Sequence, residues 1–159
     1  MTPLHIDHQT KEEVLIEALP YIQKYEGKTF VIKYGGAAMI HSELKKTFAK
    51  DVTILRKIGI NVVIIHGGGK EITELANKLQ IESRFVHGQR YTDEQMIKIV
   101  LMVLAGKVNK EIVNLINTNS GNGIGICGVD NNLLKGERIQ KDGDDLGLVG
   151  TVTSVNVPF

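Results

Sequence analysis

Two glycine clusters occupy positions at which a protein can bind an anion through its backbone. Gly35-Gly36 and Gly67-Gly68-Gly69 each follow a short β-rich run. Glycine has no side chain, so its N–H group can approach an anion closely, and a helix that begins just beyond adds its positive dipole end. The pattern indicates phosphate or carboxylate recognition, although paired glycines also serve simply as turns between a strand and a helix.

Two basic residues near these clusters have side chains suited to the same chemistry. Lys33 stands near the end of the first β-rich run, where an ammonium group can neutralise charge on a phosphoryl group in transfer. Arg90 precedes a helical pattern, and its planar guanidinium can clamp a carboxylate with two parallel bonds. Taken alone, each residue is better explained as a solvated surface side chain.

Two familiar phosphate fingerprints do not fit the sequence. Gly69-Lys70 resembles the end of a P-loop, but the first glycine of that motif would fall at Ile64 and its final Ser/Thr at Glu71. Residues 123–128 match G-x-G-x-x-G letter for letter. That match lies inside an apolar run instead of after one, and no amphipathic helix follows it, so a dinucleotide site is disfavoured.

The elements that must position these residues form a strand, helix, strand unit. Thr29 to Tyr34 and Asn61 to Ile65 are β-rich, and a helical pattern that Ser42 can cap runs between them to Gly59. This order predicts a parallel pair with a right-handed crossover. Ligands of open α/β sheets bind beyond the carboxyl ends of the strands, so both glycine clusters should meet at one edge.

Capping boxes predict the starts of two further helices. Thr10 to Glu13 would open a helix that has an apolar face, bends at Pro20 and stops near Gly27. Thr92 to Gln95 would open a long helix that tolerates Gly106. The remaining predicted elements are a short helix at residues 71–79, a hairpin at 84–91, and strands at 124–128 and 150–155.

Composition excludes several classes of function. The 159 residues are 42% hydrophobic and 23% charged with a net charge of +1, so no global field favours nucleic acid or an acidic membrane surface. No apolar stretch is long enough to span a membrane. The five histidines show no metal spacing apart from His5-x-x-His8, so no metal site is expected. The single cysteine, Cys127, fits a reducing compartment, which makes the cytoplasm the expected location.

Taken in order, the motifs resemble those of the acetylglutamate kinases of the amino-acid kinase family. The resemblance covers about residues 12 to 157. The segments that carry it are residues 31–39, 64–69, 88–92, 104–110, 125–130, 145–150 and 152–156. The ordered set is far more specific than any one of its motifs.

The resemblance implies a fold and a reaction. The fold is α/β, a three-layer αβα sandwich with a mainly parallel sheet, truncated here after the N-terminal lobe. Residues 1–27 would be an extension with a kinked helix, and residues 28–159 the lobe that binds the acyl substrate. The reaction is phosphorylation of the side-chain carboxylate of N-acetyl-L-glutamate by ATP with Mg²⁺, in arginine biosynthesis. The adenine pocket would lie in a half that this sequence lacks, so the chain alone is expected to be inactive.

The resemblance also assigns roles to residues. Lys33 would stabilise the transferring phosphoryl group, and Arg90 would hold the α-carboxylate of the substrate. Backbone N–H donors to the phosphoryl group would come from Gly35, Gly36 and Gly68. Gly68 and Gly69 would contact the acyl substrate.

The N-terminal helix resembles an extension found in arginine-inhibited members of the family. There it interlaces dimers into a hexamer and contributes to the inhibitor site, for which Tyr21 is the candidate residue, although an aromatic ring packed on a kinked helix explains Tyr21 equally well. Two other functions stay open. One is a non-catalytic oligomerisation or amino-acid-binding module, and the other is a kinase for another acylated amino acid, such as carrier-protein-linked aminoadipate.

Overall fold

The computed structural model describes residues 7–39 and 41–158, without the side chain of Ala37. His5, which the sequence pairs with His8, lies outside the described residues. The α-helices in the described part are α1 (His8–Tyr25), α2 (Ser42–Lys57), α3 (Gly69–Lys78), α4 (Glu94–Leu101) and α5 (Asn109–Thr118). The strands there are β1 (Thr29–Tyr34), β2 (Asn61–His66), β3 (Phe85–Val86), β4 (Gln89–Arg90), β5 (Leu134–Lys141) and β6 (Asp144–Val155).

Strands β1 and β2 form the predicted parallel pair. Their register sets Lys33 beside Ile65 and Tyr34 beside His66. Gly35 and Gly67 are therefore the first residues beyond the two strands at the same edge. The prediction that the two glycine clusters meet there is confirmed.

One face of this pair packs on the core. Tyr34 is only 4% exposed, and its ring stacks on Phe48 of α2 with centroids 3.9 Å apart and planes 11° from parallel. The Tyr34 hydroxyl donates to the Ala38 carbonyl oxygen at 2.9 Å, which ties the strand to the turn that follows it. The buried residues of this core are Tyr34, Met39, Ala49, Val52, Ile72, Ala76, Met96, Ile99, Val103, Val108, Ile112 and Ile116.

The first two helices begin differently from the sequence prediction. The N-cap of α1 is Asp7 and not Thr10: the Asp7 carboxylate accepts from the Thr10 N–H at 2.9 Å and from the Thr10 hydroxyl at 2.6 Å. Asp7 outcompetes Thr10 because its carboxylate can accept both bonds at once. The N-cap of α2 is His41, which makes no capping bond with its side chain, and Ser42 is the first helical residue.

The N-cap of α4 is Asp93 and not Thr92. One carboxylate oxygen of Asp93 accepts from the N–H groups of Gln95 at 3.1 Å and Met96 at 2.7 Å. Thr92 is buried instead, and its hydroxyl donates to the Arg90 carbonyl oxygen at 3.0 Å. The predicted helix therefore exists, but it begins one residue later.

The predicted long helix contains a change of winding. Between α4 and α5 the chain continues as a π-helix over Met102–Val108. Gly106 lies inside this π-helical segment, where the backbone is wider than in an α-helix. Hydrophobic spacing predicted the continuous helix correctly but not this segment.

Two hairpins follow the parallel pair along the chain. β3 and β4 pair antiparallel around His87-Gly88, as predicted, with both tip residues at positive φ. β5 and β6 pair antiparallel around Asp142-Gly143, again with positive φ at both tip residues, which is the type I′ turn. The tips touch, because His87 Nε2 lies 2.8 Å from Asp144 Oδ2. β6 contains the predicted strand at 150–155, whereas β5 was not predicted.

The prediction of a strand at residues 124–128 is wrong. Side chains of α5 take backbone groups that a strand would need for its ladder. Asn117 accepts from the Gly123 N–H at 2.6 Å and donates to its carbonyl oxygen at 3.1 Å. Lys110 donates to the Gly125 carbonyl oxygen at 3.0 Å. The segment therefore runs along α5 without forming a described strand.

Helix α1 leaves its apolar side chains exposed. It contains Pro20, as predicted, and ends at Tyr25, two residues before Gly27. The exposed fractions lie between 53% and 66% for Val14, Leu15, Ile16, Leu19 and Tyr21. In the described part of the chain, no helix combines the length and the apolar character needed to cross a membrane.

Candidate functional site

The first glycine cluster begins a tight turn at the end of β1. Gly36 has φ +62° and opens a 3₁₀ turn that runs to Met39. A residue with a β-carbon is strained in this left-handed conformation, which explains the glycine. Lys33 is exposed and, by strand alternation, lies on the face of β1 opposite Tyr34. The side chain of Lys33 therefore lies on the face of β1 that points away from the core.

The second cluster places a helix terminus at the same edge. Gly68 is the N-cap of α3, which begins at Gly69. A β-carbon on Gly68 would stand 2.7 Å from Leu104 Cδ2 and 3.2 Å from Val108 Cγ2. Gly68 is thus held close against the π-helical segment, and the first N–H groups of α3 are available to an anion.

Arg90 is fixed by three hydrogen bonds. Its Nη1 donates to Ser83 Oγ at 2.7 Å, and its Nη2 donates to Thr73 Oγ1 at 2.8 Å and to the Gly69 carbonyl oxygen at 3.1 Å. The Thr73 hydroxyl in turn donates to the Gly69 carbonyl oxygen at 3.0 Å. Arg90 is therefore joined directly to the first turn of α3.

The surroundings of Arg90 also limit its contact with water. Its guanidinium carbon lies 4.7 Å from the centroid of the Phe85 ring, its partner across β3 and β4. Partial burial lowers the pKa of Arg90 from its usual high value, because a charged group loses hydration there. A half-buried guanidinium interacts more strongly with a carboxylate than a solvated one does.

The structure brings most of the sequence-predicted residues together. Gly69 and Arg90 are in direct contact, and Gly68 adjoins them. Gly35 and Gly36 lie at the same sheet edge, next to the end of β1 that carries Lys33. Tyr21 is separate from this group along the chain: it lies on α1 with its ring exposed.

Sequence reasoning missed Thr73 and Ser83, the hydroxyl partners of Arg90. Thr73 lies 17 residues before Arg90 and Ser83 lies 7 before it. Single Thr and Ser residues carry no motif, so only the tertiary arrangement reveals them. Their spacing contains no signal that could have identified them.

A separate cavity of about 340 Å³ lies beside β2. It is lined by α2, α5, the segment 121–125 and the inward side chains of β2, among them Ile64 and His66. Asn109 also lines the cavity, and its Nδ2 atom lies 3.4 Å from His66 Nε2. Arg90 is not among its lining residues, so the cavity and the Arg90 group are different places.

The described residues contain no group of three His, Cys, Asp or Glu side chains that could hold a metal ion. A guanidinium, a helix N-terminus and glycine turns are groups that can bind an anion. A lysine ammonium, such as that of Lys33, can neutralise a phosphoryl group.

Comparison with known proteins identifies the family of the chain. The profile of the amino acid kinase family matches residues 28–158. An acetylglutamate kinase of Chlorobium phaeobacteroides is 57% identical over 147 residues, which cover 92% of this chain and 48% of that protein. An acetylglutamate kinase of Clostridium beijerinckii is 49% identical over 151 residues, which cover 95% of this chain and 53% of that protein.

A solved structure is similar as well. The N-acetylglutamate synthase of Neisseria gonorrhoeae, solved with coenzyme A and N-acetyl-glutamate, superposes with a TM-score of 0.74 and 25% identity, over 92% of this chain and 33% of that one. The chain spans about half the length of the curated relatives it matches. On the profile match and these identities, the chain belongs to the amino acid kinase family.

Proposed function

We propose that this chain is the acyl-substrate-binding part of an enzyme that uses ATP to phosphorylate the side-chain carboxylate of N-acetyl-L-glutamate, in arginine biosynthesis. The observation that carries the proposal is the direct bond between Arg90 and Gly69, which unites a carboxylate-binding side chain with the glycine turn. The names of relatives at 49% and 57% identity support the same substrate.

The proposal divides the chain into two parts. Residues 1–27 are an N-terminal extension, and residues 28–159 are the lobe that binds the acyl substrate. The family match begins at residue 28, which supports this boundary. The adenine pocket is assigned to a second half, because the relatives are about twice as long as this chain.

Each site residue has a defined task in the proposed reaction. Arg90 holds the α-carboxylate of the substrate, and Gly68 and Gly69 contact the acyl group through their N–H groups. A side-chain carboxylate oxygen of the substrate attacks the γ-phosphorus of ATP, the bond from phosphorus to the β-phosphate oxygen breaks, and an acyl phosphate and ADP form. Lys33, with N–H donors of Gly35, Gly36 and Gly68, stabilises the phosphoryl group during transfer.

Mg²⁺ has no carboxylate cage among the described residues of this chain. In kinases the ion is bound largely through the phosphates of the nucleotide. We therefore assign no residue of this chain to it, and the tasks given to Lys33, Arg90 and the glycines are independent of the metal.

The test uses a chimaera in which residues 1–159 precede the second half of the Chlorobium phaeobacteroides relative. Acyl phosphate formed from ATP is trapped with hydroxylamine and measured as hydroxamate. N-Acetyl-L-glutamate should be turned over, and N-acetyl-L-aspartate and N-acetyl-L-2-aminoadipate should be much poorer substrates. Preference for the aminoadipate would replace the proposed substrate with a longer one, and no turnover of any of them would reject the proposal.

A second candidate function, assembly, rests on α1. Leu15 and Leu19 lie one turn apart on α1 and are both more than half exposed, which suits contact with a protein partner. We propose that α1 joins copies of the chain into dimers or hexamers, and that Tyr21 contributes to an arginine site there. Sedimentation should show a smaller assembly for Leu15→Glu than for Glu12→Gln. Equal assembly in both variants, or arginine binding that Tyr21→Ala does not weaken, would contradict this role.

A cytoplasmic location is part of the same proposal. The single cysteine, Cys127, is not engaged in a disulfide, which suits a reducing compartment.

A further inference from the structure

The Nη2 atom of Arg90 donates to two acceptors. They are the Gly69 carbonyl oxygen at 3.1 Å and Thr73 Oγ1 at 2.8 Å. Nη1 also donates, to Ser83 Oγ at 2.7 Å. A guanidinium has five N–H groups, and these three bonds engage both of its Nη atoms with acceptors among the described residues.

This pattern conflicts with the way in which arginine grips a carboxylate. Two parallel bonds to a carboxylate come either from Nε with Nη2 or from Nη1 with Nη2. Both arrangements need a hydrogen of Nη2. A carboxylate that binds Arg90 in either arrangement must therefore compete with Gly69 and Thr73 for Nη2.

The two acceptors differ in how readily a carboxylate can displace them from Nη2 of Arg90. The Gly69 carbonyl belongs to the first residue of α3, so the helix fixes its position. The Thr73 acceptor is a side-chain hydroxyl, and its own hydrogen bond to the Gly69 carbonyl oxygen, at 3.0 Å, is retained when Arg90 leaves it. A carboxylate carries a negative charge, so it attracts the guanidinium of Arg90 more strongly than the neutral hydroxyl of Thr73 does. Displacement of Thr73 therefore costs the least.

We propose that Thr73 is a latch on Arg90: its hydroxyl occupies Nη2 until the carboxylate of the acyl substrate displaces it, while Ser83 keeps the guanidinium in place through Nη1. The inference rests on the proposed function, because it takes Arg90 as the carboxylate-binding residue. Thr73 and Ser83 are positioning residues in this scheme, and they act on affinity in opposite directions.

The proposal predicts that substitutions at Thr73 and at Ser83 change the affinity for N-acetyl-L-glutamate in opposite directions. Thr73→Val removes the competing acceptor and keeps the side-chain shape, so N-acetyl-L-glutamate should bind the 159-residue chain about threefold to tenfold more tightly, the equivalent of one hydrogen bond. Ser83→Ala removes the anchor and should weaken binding about tenfold. Thr73→Ser keeps the hydroxyl and should stay within about twofold of the wild type. Calorimetry measures all three.

A second measurement does not depend on substrate. In the chain with ¹⁵N-labelled arginine, the Nη hydrogens of Arg90 should exchange faster with water in Thr73→Val than in Thr73→Ser, because one acceptor is gone. Matching thermal unfolding confirms that the variants are folded. Should Thr73→Val fail to fold, Thr73→Ala takes its place in both measurements.

The inference is overturned if Thr73→Val binds N-acetyl-L-glutamate no more tightly than the wild type, or if Arg90 exchange is the same in Thr73→Val and Thr73→Ser. Absence of binding by the wild type and by Thr73→Val also overturns it. In that case hydroxamate formation by the chimaera still decides the proposed function, so the two failures are distinguishable.

Discussion

The side chain of Leu104 lies against the backbone of Gly68, so closely that a β-carbon on Gly68 would stand 2.7 Å from Leu104 Cδ2. Leu104 belongs to the π-helical segment, and Gly68 is the N-cap of α3. π-Helical turns recur at functional sites, where they change the packing of a helix locally. Here the contact links the position of the second glycine turn to the widened part of the long helix.

This contact predicts the effect of a methyl group on Gly68. Gly68→Ala should lower the free energy of unfolding by about 1–3 kcal/mol, because the added carbon overpacks against Leu104 and Val108. Gly67→Ala is the matched control, since a β-carbon there meets nothing within 4 Å, and it should change stability much less. Urea unfolding of the chain measures both.

A double variant identifies the cause of that loss. If Leu104 is the group that obstructs the methyl, Gly68→Ala should cost less in a Leu104→Ala background than in the wild type, by a coupling of about 0.5–3 kcal/mol. Additive losses from the two changes would show that Leu104 does not hold the turn.

The helix caps show how local competition limits prediction from sequence. The pattern of Thr followed three residues later by Glu or Gln correctly located helices near Thr10 and Thr92. Aspartates at positions 7 and 93 took the capping role, since one carboxylate can accept from two donors. The existence of both helices followed from periodicity, but their first residue depended on which nearby oxygen reached the free N–H groups.

Tyr34 gives the fold a pH dependence at the alkaline end. Burial, and then the nearby Glu111 carboxylate, raise the pKa of Tyr34 above its ordinary value of 10.0. The folded chain thus holds the phenolic proton more tightly than the unfolded chain. The stabilisation is complete below about pH 10 and is lost as the pH rises through the folded-state pKa.

Replacement of Tyr34 by phenylalanine removes both the hydrogen bond of its hydroxyl and the titration of its phenol, and measurements at two pH values separate these effects. At pH 7, Tyr34→Phe should be about 1 kcal/mol less stable, because the bond to the Ala38 carbonyl oxygen is lost while the stacking on Phe48 remains. Above pH 10 its free energy of unfolding should fall less steeply than that of the wild type. Urea unfolding between pH 7 and pH 11 measures this, and parallel curves would contradict the assignment.

Asn117 holds Gly123, the residue just before the segment that was predicted as a strand. It accepts from the Gly123 N–H at 2.6 Å and donates to the Gly123 carbonyl oxygen at 3.1 Å, so it mimics a neighbouring strand. Asn117→Ala should accelerate hydrogen exchange at the Gly123 amide by about tenfold, the equivalent of one lost bond. Asn114→Ala changes an exposed residue of the same helix and should leave that amide unaffected. Equal exchange in both variants would contradict the role of Asn117.

The missed and mistaken strands have physical causes. Residues 124–128 are apolar, but their neighbours Lys110 and Asn117 satisfy backbone groups that a ladder would use. β5 is mostly exposed and polar, so no hydrophobic alternation marked it. Its Asp142-Gly143 tip is a common hairpin signal, but without an alternating strand before it the signal did not identify a hairpin.

The candidate site was likewise predictable from the sequence only in part. Strand ends placed Lys33 and both glycine turns in one region from sequence, because parallel strands end at a common edge. Arg90 was assigned to the same site only by the family resemblance. The bonds from Arg90 to Thr73, Ser83 and Gly69 depend on the approach of the β3–β4 hairpin to α3. That approach is set by tertiary packing, which no local pattern encodes.

The steady-state kinetics of Lys33→Ala and Arg90→Ala in the chimaera test the central claim most directly, provided that both variants unfold as the wild type does. Lys33→Ala should lower kcat at least about 100-fold with little change in KM for N-acetyl-L-glutamate, because it acts on the transferring phosphoryl group. Arg90→Ala should raise that KM by about tenfold to 100-fold, because it acts on substrate binding. Wild-type kcat in Lys33→Ala, or an unchanged KM in Arg90→Ala, would contradict the account.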